Sequence, residues 1–307
     1  MCRHTRPRGG CRAVPWVVLL ACLGSLAAAA GGRAAARDGR VAVGIVNTLF
    51  RDIPKKTVDA TAEPFRKLME KEAGRKGDFQ MIPDAYQLAR QLSKGGLDLG
   101  VFQGYEFAWV RQQHPELRPL AIAVNQQRNP RAFLVVRNDS GLSGFTSLKG
   151  KSLAIPARPK GYALLFLDKL LHQEGQTRQG FFSKVTTPAN TEDALDDVVD
   201  REVKAALVDG VGLERYKARK PGRAAALKVL VKSEAFPAPV VAYRDGALDK
   251  ASRQAFLNAL LRAPDTADGR QVLTLWKLTG FERVPRDYDE ELKDIVKAYP
   301  PPRDHRK

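Results

Sequence analysis

The sequence predicts a two-lobed α/β protein, and three observations predict it. From residue 41 onward, short apolar runs ending in Gly, Pro, Asn or Asp alternate with stretches of helical periodicity. The alternation restarts after Lys149-Gly150, so two similar units follow one another. The chain has 307 residues, 44% of them apolar and 28% charged, which is enough to bury two medium cores.

In the first unit, Val41 to Val46 predicts a strand. Ala62, Phe65, Leu68, Met69 and Ala73 then recur at spacings of three and four, the stripe of an amphipathic helix with Pro64 in its first turn. Phe79 to Ile82 is the next strand, Ala85, Leu88, Ala89 and Leu92 the next helical stripe, and Leu97 to Phe102 a third strand before a helix carrying Tyr105, Ala108 and Trp109. The second unit repeats the order: strand Ser152 to Ile155, helix Tyr162 to Gln173, strand Lys184 to Thr187, helix Glu192 to Val199, strand Ala205 to Val208. The helix from Tyr162 is apolar nearly all round, so burial on several sides is expected. Such alternation predicts mostly parallel sheets with helices on their faces.

Two units in one chain imply two lobes joined by extended segments, expected at Ala132 to Val136 going out and Pro239 to Tyr243 coming back. That return places helices near Lys250 to Leu261 and Asp287 to Ala298 on the first lobe. The expected organisation is a leader and small-residue tether over 1–36, a first lobe of 37–133 plus 240–299, a second lobe of 134–239, and a polar tail over 300–307.

The leader has the order of a secretory signal. Arg3, Arg6, Arg8 and Arg12 precede the apolar run Val14 to Leu23, and small residues follow to Ala36. The run is shorter than the roughly 20 residues that span a bilayer. All three cysteines, Cys2, Cys11 and Cys22, fall in this segment, so the mature chain is expected to have neither a disulfide nor a thiol nucleophile. Leu19-Leu20-Ala21-Cys22 resembles a lipoprotein signal-peptidase site, with Leu20 where a small residue is usual, and makes Cys22 a lipidation candidate. Cleavage after Ala28-Ala29-Ala30 or Ala34-Ala35-Ala36 is the competing reading.

The formal net charge is +17, and loss of the five arginines before residue 37 leaves +12. Nothing basic is interleaved with aromatics and no zinc spacing occurs, so nucleic acid is not the expected partner. A basic exported surface instead concentrates small anions or lies near anionic lipid, while most of the cations solvate helix faces.

In open α/β sheets, ligands bind beyond the carboxyl ends of the strands. The loops there carry Asn47 and Thr48, Tyr86, and Gln103, Gly104 and Tyr105 in the first unit. In the second they carry Arg158, Lys160 and Gly161, then Asn190 and Thr191, then Asp209. Arg158 and Lys160 stand where a helix begins, so the helix dipole and two cations would act together on an anion; the alternative is a solvated turn around Pro159. Asn190 or Thr191, and Asp84, are equally readable as helix N-caps, and the aromatic residues as core.

Enzyme motifs are absent: there is no Gly-x-Ser-x-Gly, no Gly-Lys-Ser/Thr loop and no His-Glu-x-x-His. Of the four histidines, His4 lies in the leader and His305 in the tail, and His114 and His172 have no second ligand at metal spacing. No cofactor, no metal and no catalysis are expected.

Val41-Ala42-Val43-Gly44, Glu63-Pro64-Phe65-Arg66-Lys67-Leu68 and Gly95-Gly96-Leu97-Asp98-Leu99-Gly100 resemble the first lobe of phosphate/phosphite/phosphonate (PhnD-like) ABC-transporter binding proteins. The resemblance continues through Leu134 to Gly141, Ser147 to Ala154, Phe181 to Val185 and Asp287-Tyr288, about residues 41 to 290. It implies a type 2 periplasmic-binding fold, bilobed and hinge-linked, and it does not carry over the ligand. The expected function is to bind a small oxyanion such as phosphate, phosphite or phosphonate between the lobes for a membrane permease, as a monomer. A sensor or accessory role on the same fold, without transport, is the alternative. Against the Ser-Thr-Ser-Gly cradle typical of such proteins this chain has Arg158-Pro159-Lys160-Gly161, against a His-Asp pair it has Thr191-Glu192-Asp193, against an Asp it has Lys204, and Arg131 lies near an expected tyrosine. Cations in place of hydroxyls and an acid disfavour an aminoalkyl phosphonate, whose ammonium needs a carboxylate.

Overall fold

Strands and helices alternate from Arg40 onward in the computed structural model, which describes residues 40–50, 56, 60 and 62–302. The expected leader with Cys22, and the tail beyond residue 302, lie outside the described residues. Among those described, no helix is long and apolar enough to cross a membrane.

The strands are β1 (Arg40–Val46), β2 (Lys76–Ile82), β3 (Leu99–Phe102), β4 (Leu117–Val124), β5 (Ala132–Arg137), β6 (Ser152–Ala154), β7 (Lys184–Thr186), β8 (Ala205–Asp209), β9 (Leu227–Lys232), β10 (Val240–Arg244) and β11 (Gly280–Arg283). The helices of two turns or more are α1 (Ala62–Ala73), α2 (Ala85–Ser93), α3 (Gly104–Arg111), α4 (Gly161–Gln173), α5 (Thr191–Val199), α6 (Gly210–Arg219), α7 (Lys250–Leu261), α8 (Ala267–Trp276) and α9 (Tyr288–Ala298). One sheet has six strands in the order β11-β4-β10-β3-β1-β2, and the other has five in the order β7-β6-β8-β5-β9.

The pleat explains how the first sheet is covered. Val41, Val43 and Ile45 of β1 face Leu68 and Met69 of α1, Phe256 of α7 and Val272 of α8, while Ala42 and Val46 face Leu88 and Leu92 of α2. Both faces are therefore dry, which is why β1 and β3 read as unbroken apolar runs.

The sheets are mixed, not mostly parallel. β1 runs parallel to β2 and β3, and β6 to β7 and β8, but β10 is antiparallel to β3 and β4, and β5 to β8 and β9. The cause is the path of the chain. β5 begins with Ala132 beside Asp209, the last residue of β8, and β10 begins with Val240 beside Phe102, the last residue of β3. Each of these strands arrives from the other lobe at the carboxyl ends of the parallel strands, and must run back against them.

Two expectations are corrected by the same pairings. Ala132 to Val136 is not a joint but a fully paired, buried strand inside the second sheet, and Val240 to Tyr243 is likewise interior to the first. The chain changes lobe within residues 125–131 and 233–239. The apolar helix α4 is buried along one stripe, through Tyr162, Ala163, Phe166, Leu167 and Leu171, whereas Leu164, Leu165 and Leu170 are only half-buried.

The two crossings are tied together. Arg131 Nη1 donates to the Ser233 carbonyl at 2.7 Å, the Ala132 amide to Ser233 Oγ at 2.9 Å, and the Phe236 amide to the Pro130 carbonyl at 2.9 Å. Phe236, 1% exposed, then meets rings from every neighbour: Tyr105 of the first lobe at 6.0 Å, Tyr162 of the second at 5.3 Å and Tyr299 at 4.7 Å. Around this cluster Trp109 donates to the Tyr299 carbonyl at 2.8 Å, and Tyr288 to the Ala238 carbonyl at 2.8 Å. Glu234 accepts from both Lys169 of α4 and Tyr299, and although burial pushes its carboxyl up, those two hydrogen bonds hold it below its ordinary range.

Close approach at this junction requires glycine at 104. A β-carbon there would lie 2.2 Å from the Pro237 carbonyl oxygen and 2.5 Å from that of Ala238, both backbone atoms that cannot swing aside. Gly104→Ala should therefore destabilise the fold by about 1–3 kcal/mol, the usual cost of overpacking. Gly144→Ala, with nothing within 4 Å, is the control and should stay within about 0.5 kcal/mol of wild type. Equal denaturation midpoints for the two variants would contradict the packing argument.

Candidate functional site

Because the parallel strands of both sheets end toward the crossings, the loops that follow them face a common cleft of about 980 Å³. Its second-lobe wall is built from the turn after β6, which runs into α4, and from the first turns of α5 and α6. Three helix N-termini thus border the cleft, each carrying roughly half a positive charge.

Six of the sequence-predicted residues line it: Gln103, Arg158, Lys160, Asn190, Thr191 and Asp209. Three of these have structural work. Asn190 caps α5, its Oδ1 accepting from the Asp193 amide at 3.0 Å and its Nδ2 donating to the Asp193 carboxylate at 2.8 Å. Asp209 caps α6 through the Gly212 amide at 2.9 Å, and Gln103 donates to the Thr48 carbonyl at 3.2 Å. Arg158 is exposed and has no hydrogen-bond or ion-pair partner among the described residues. Lys160 is the N-cap position of α4, extended in backbone and contributing no side-chain cap.

The other eight predicted residues do not line the cleft. Asn47 is exposed at the start of the 3₁₀ turn after β1, and Thr48 of that turn donates to Glu106 Oε2 at 2.7 Å. Tyr86 lies in the core under α2, where burial, then Glu106 and Asp84, push its hydroxyl pKa up. Gly104 and Tyr105 belong to the junction, as does Gly161, whose own β-carbon would lie 2.4 Å from the Tyr105 hydroxyl. Arg131 is spent on the crossing. Lys204 precedes β8 and is exposed, its amide bonded to Ser152, so it sits at the far end of the strand from Asp209. At about 3.3 Å per residue, the length of β8 puts it roughly 15 Å from the cleft.

Sequence reasoning missed Arg215, Lys277, Trp276 and Phe50, which all line the cleft. Arg215 lies one turn into α6 and reads in sequence as one more solvated cation; it is exposed, with no partner among the described residues. Trp276 and Lys277 end α8, a helix whose stripe was not recognised, and Lys277 holds the left-handed conformation at φ 56°. The buried Glu106, which accepts from Thr48 in the turn after β1, does not line the cleft.

Charge in the cleft is uneven. Arg158, Lys160, Arg215, Arg219 and Lys277 line it, against the carboxylates Glu192, Asp193 and Asp209. Each carboxylate is already engaged, Glu192 by Arg219 at 3.0 Å and Lys220 at 2.9 Å, the other two by the caps described above. What remains for a solute is positive. Among the described residues no three His, Cys, Asp or Glu side chains converge as a metal site would need. His114 instead shares hydrogen bonds with Ser93, at 2.9 Å, and Glu116, at the C-terminal end of α2 and away from the cleft.

The caps generate a stability test. Asn190→Ala removes the acceptor for one orphan amide of α5 and should cost about 1 kcal/mol, read from the shift in denaturation midpoint at unchanged slope. Asn190→Ser keeps a cap acceptor without adding a charge beside Asp193 and should recover most of it; equal losses in both variants would show that the cap is not what Asn190 supplies.

Comparison with known proteins places this architecture. No curated protein sequence matches the chain. XAC2383 from Xanthomonas citri bound to ATP superposes with a TM-score of 0.60 at 18% identity, covering 88% of this chain and 100% of that one. A binding protein component of an ABC phosphonate transporter from Pseudomonas aeruginosa gives 0.53 at 17%, over 83% of this chain and 84% of that one. PhnD1 from Prochlorococcus marinus, in complex with methylphosphonate, gives 0.54 at 14%, over 84% and 97%. These similarities establish the type 2 periplasmic-binding fold. The family model for the periplasmic substrate-binding protein of phosphonate ABC transporters matches residues 49–288, and the chain belongs to that family.

Proposed function

We propose that this chain captures a small oxyanion of the phosphate, phosphite or phosphonate class in the cleft between its sheets and presents it to the permease of an ABC transporter. The observation that carries the reading is the pair of uncommitted guanidinium groups, Arg158 and Arg215, in the turn before α4 and the first turns of α6, in a cleft where every lining carboxylate is already bonded. Family membership supports the transport role, and the anions bound by the P. marinus and X. citri proteins, methylphosphonate and ATP, support phosphorus oxyanions as the class. Membership also supports export, in keeping with the signal-like order of the first 36 residues. Capture on this reading draws the walls together about the Phe236 cluster, by as much as the solute prefers the closed form.

A charge-assisted hydrogen bond contributes about 1.5–3 kcal/mol, so losing one should weaken binding roughly ten- to a hundredfold. Arg158→Ala and Lys160→Ala should each do this in calorimetric titrations with methylphosphonate, and rising salt should weaken the wild type more than either variant. Lys204→Asp, about two Debye lengths away, should bind as wild type does. Wild-type affinity in both alanine variants would remove the second-lobe wall from the site.

A further inference from the structure

The two walls of the cleft differ in chemistry. Across from the cations of the second lobe, the first-lobe wall presents Ile45, Leu49, Phe50, Trp276, Leu278 and Phe281. Its described polar lining is Gln103 and Lys277, with Asn125 and Gln127 from the first crossing. The Gln103 amide is already donating to the Thr48 carbonyl, and Lys277 stands exposed beside Trp276. The aromatic part of the wall is also held in place. Trp276 stacks on Phe65 at 5.5 Å with an interplanar angle of 26°, and Phe50 tilts against it at 5.9 Å. Phe65 itself is buried and braced edge-on by Phe79 at 4.4 Å.

A bare tetrahedral oxyanion has no use for such a wall. Closed against it, the face of the anion turned from Arg158 and Arg215 would lose water and gain few donors, and unpaired burial of charged oxygens is costly. An organic anion has the matching asymmetry. Its oxygens satisfy the cations and helix N-termini on one side, and its body leaves water against Trp276 on the other.

We propose that the cleft selects an amphipathic organic anion, an oxyanion head joined to an apolar and preferably flat body, with the head on the Arg158–Arg215 wall and the body on the Trp276 wall. This deepens the reading of the cleft as an oxyanion site and rests on it. Inorganic phosphate and phosphite are then poor ligands, and a phosphonate is held as much by its substituent as by its phosphorus.

The experiment is a calorimetric series on the exported full chain with inorganic phosphate, methylphosphonate and phenylphosphonate. Phenylphosphonate should bind at least about tenfold more tightly than methylphosphonate, the effect of removing one ring face from water. Trp276→Ala and, separately, Leu278→Asn should shrink that preference toward unity. Leu278 is half-buried, so its variant stands in if Trp276→Ala does not fold. Phosphate or methylphosphonate binding as tightly as phenylphosphonate would overturn the inference and leave the oxyanion reading standing. Failure of all three to bind would overturn both, and a preference for phenylphosphonate untouched by either variant would place its body elsewhere than the Trp276 wall.

Discussion

The structure depends on where the chain changes lobe. Both crossings lie at the carboxyl ends of the parallel strands, and they are bonded to each other through Arg131, Ala132, Ser233 and Phe236. From that one constraint follow the antiparallel sense of β5 and β10, the convergence of the strand-end loops of both sheets on one cleft, and the setting of helix N-termini at its border. Residues contributed by both lobes and by the second crossing pack in a single continuous core, with Phe236 between the rings of Tyr105, Tyr162 and Tyr299. The lobes are thus joined by more than two threads.

Much of this was legible in the sequence, because apolar periodicity reports burial and burial is what the sheets and helices share. The stripe Leu88, Ala89 and Leu92 packs against Ala42 and Val46, one face of the run Val41 to Val46. Strand direction was not legible. Ala132 to Val136 has the composition of any buried strand, and only its partners reveal that it runs against β8. The crossings carry no periodicity at all, so the apolar strands beside them, rather than residues 125–131 and 233–239, looked like the extended joints.

The cleft was half legible, for a related reason. The rule that ligands lie beyond strand ends located the Arg158-Pro159-Lys160 turn, and the preference of Asn and Asp for helix starts allowed Asn190 and Asp84 to be read as caps, as their hydrogen bonds show. Trp276 and Lys277 come from a helix more than sixty residues beyond the last second-lobe loop in the site, and nothing local marks them as facing it. Lys204 shows the opposite error. A departure from a family pattern pointed to it, yet its position ahead of β8 keeps it out of reach. The number of cations in the chain is equally uninformative by itself, since many are committed to pairs such as those of Arg223 and Lys220 with Asp196. What marks the cleft is that Arg158 and Arg215 are left over beside helix starts, where the lining carboxylates are already bonded.

A crystal structure with p-bromophenylphosphonate tests most directly whether one solute spans the two chemically different walls, because the bromine locates the body of the ligand by its anomalous scattering. The predicted result is a bromine peak against Trp276 and Leu278, with the phosphonate oxygens within hydrogen-bond distance of the Arg158 or Arg215 guanidinium. A bromine peak on the second-lobe rim, or a ligand bound outside the cleft, would contradict it.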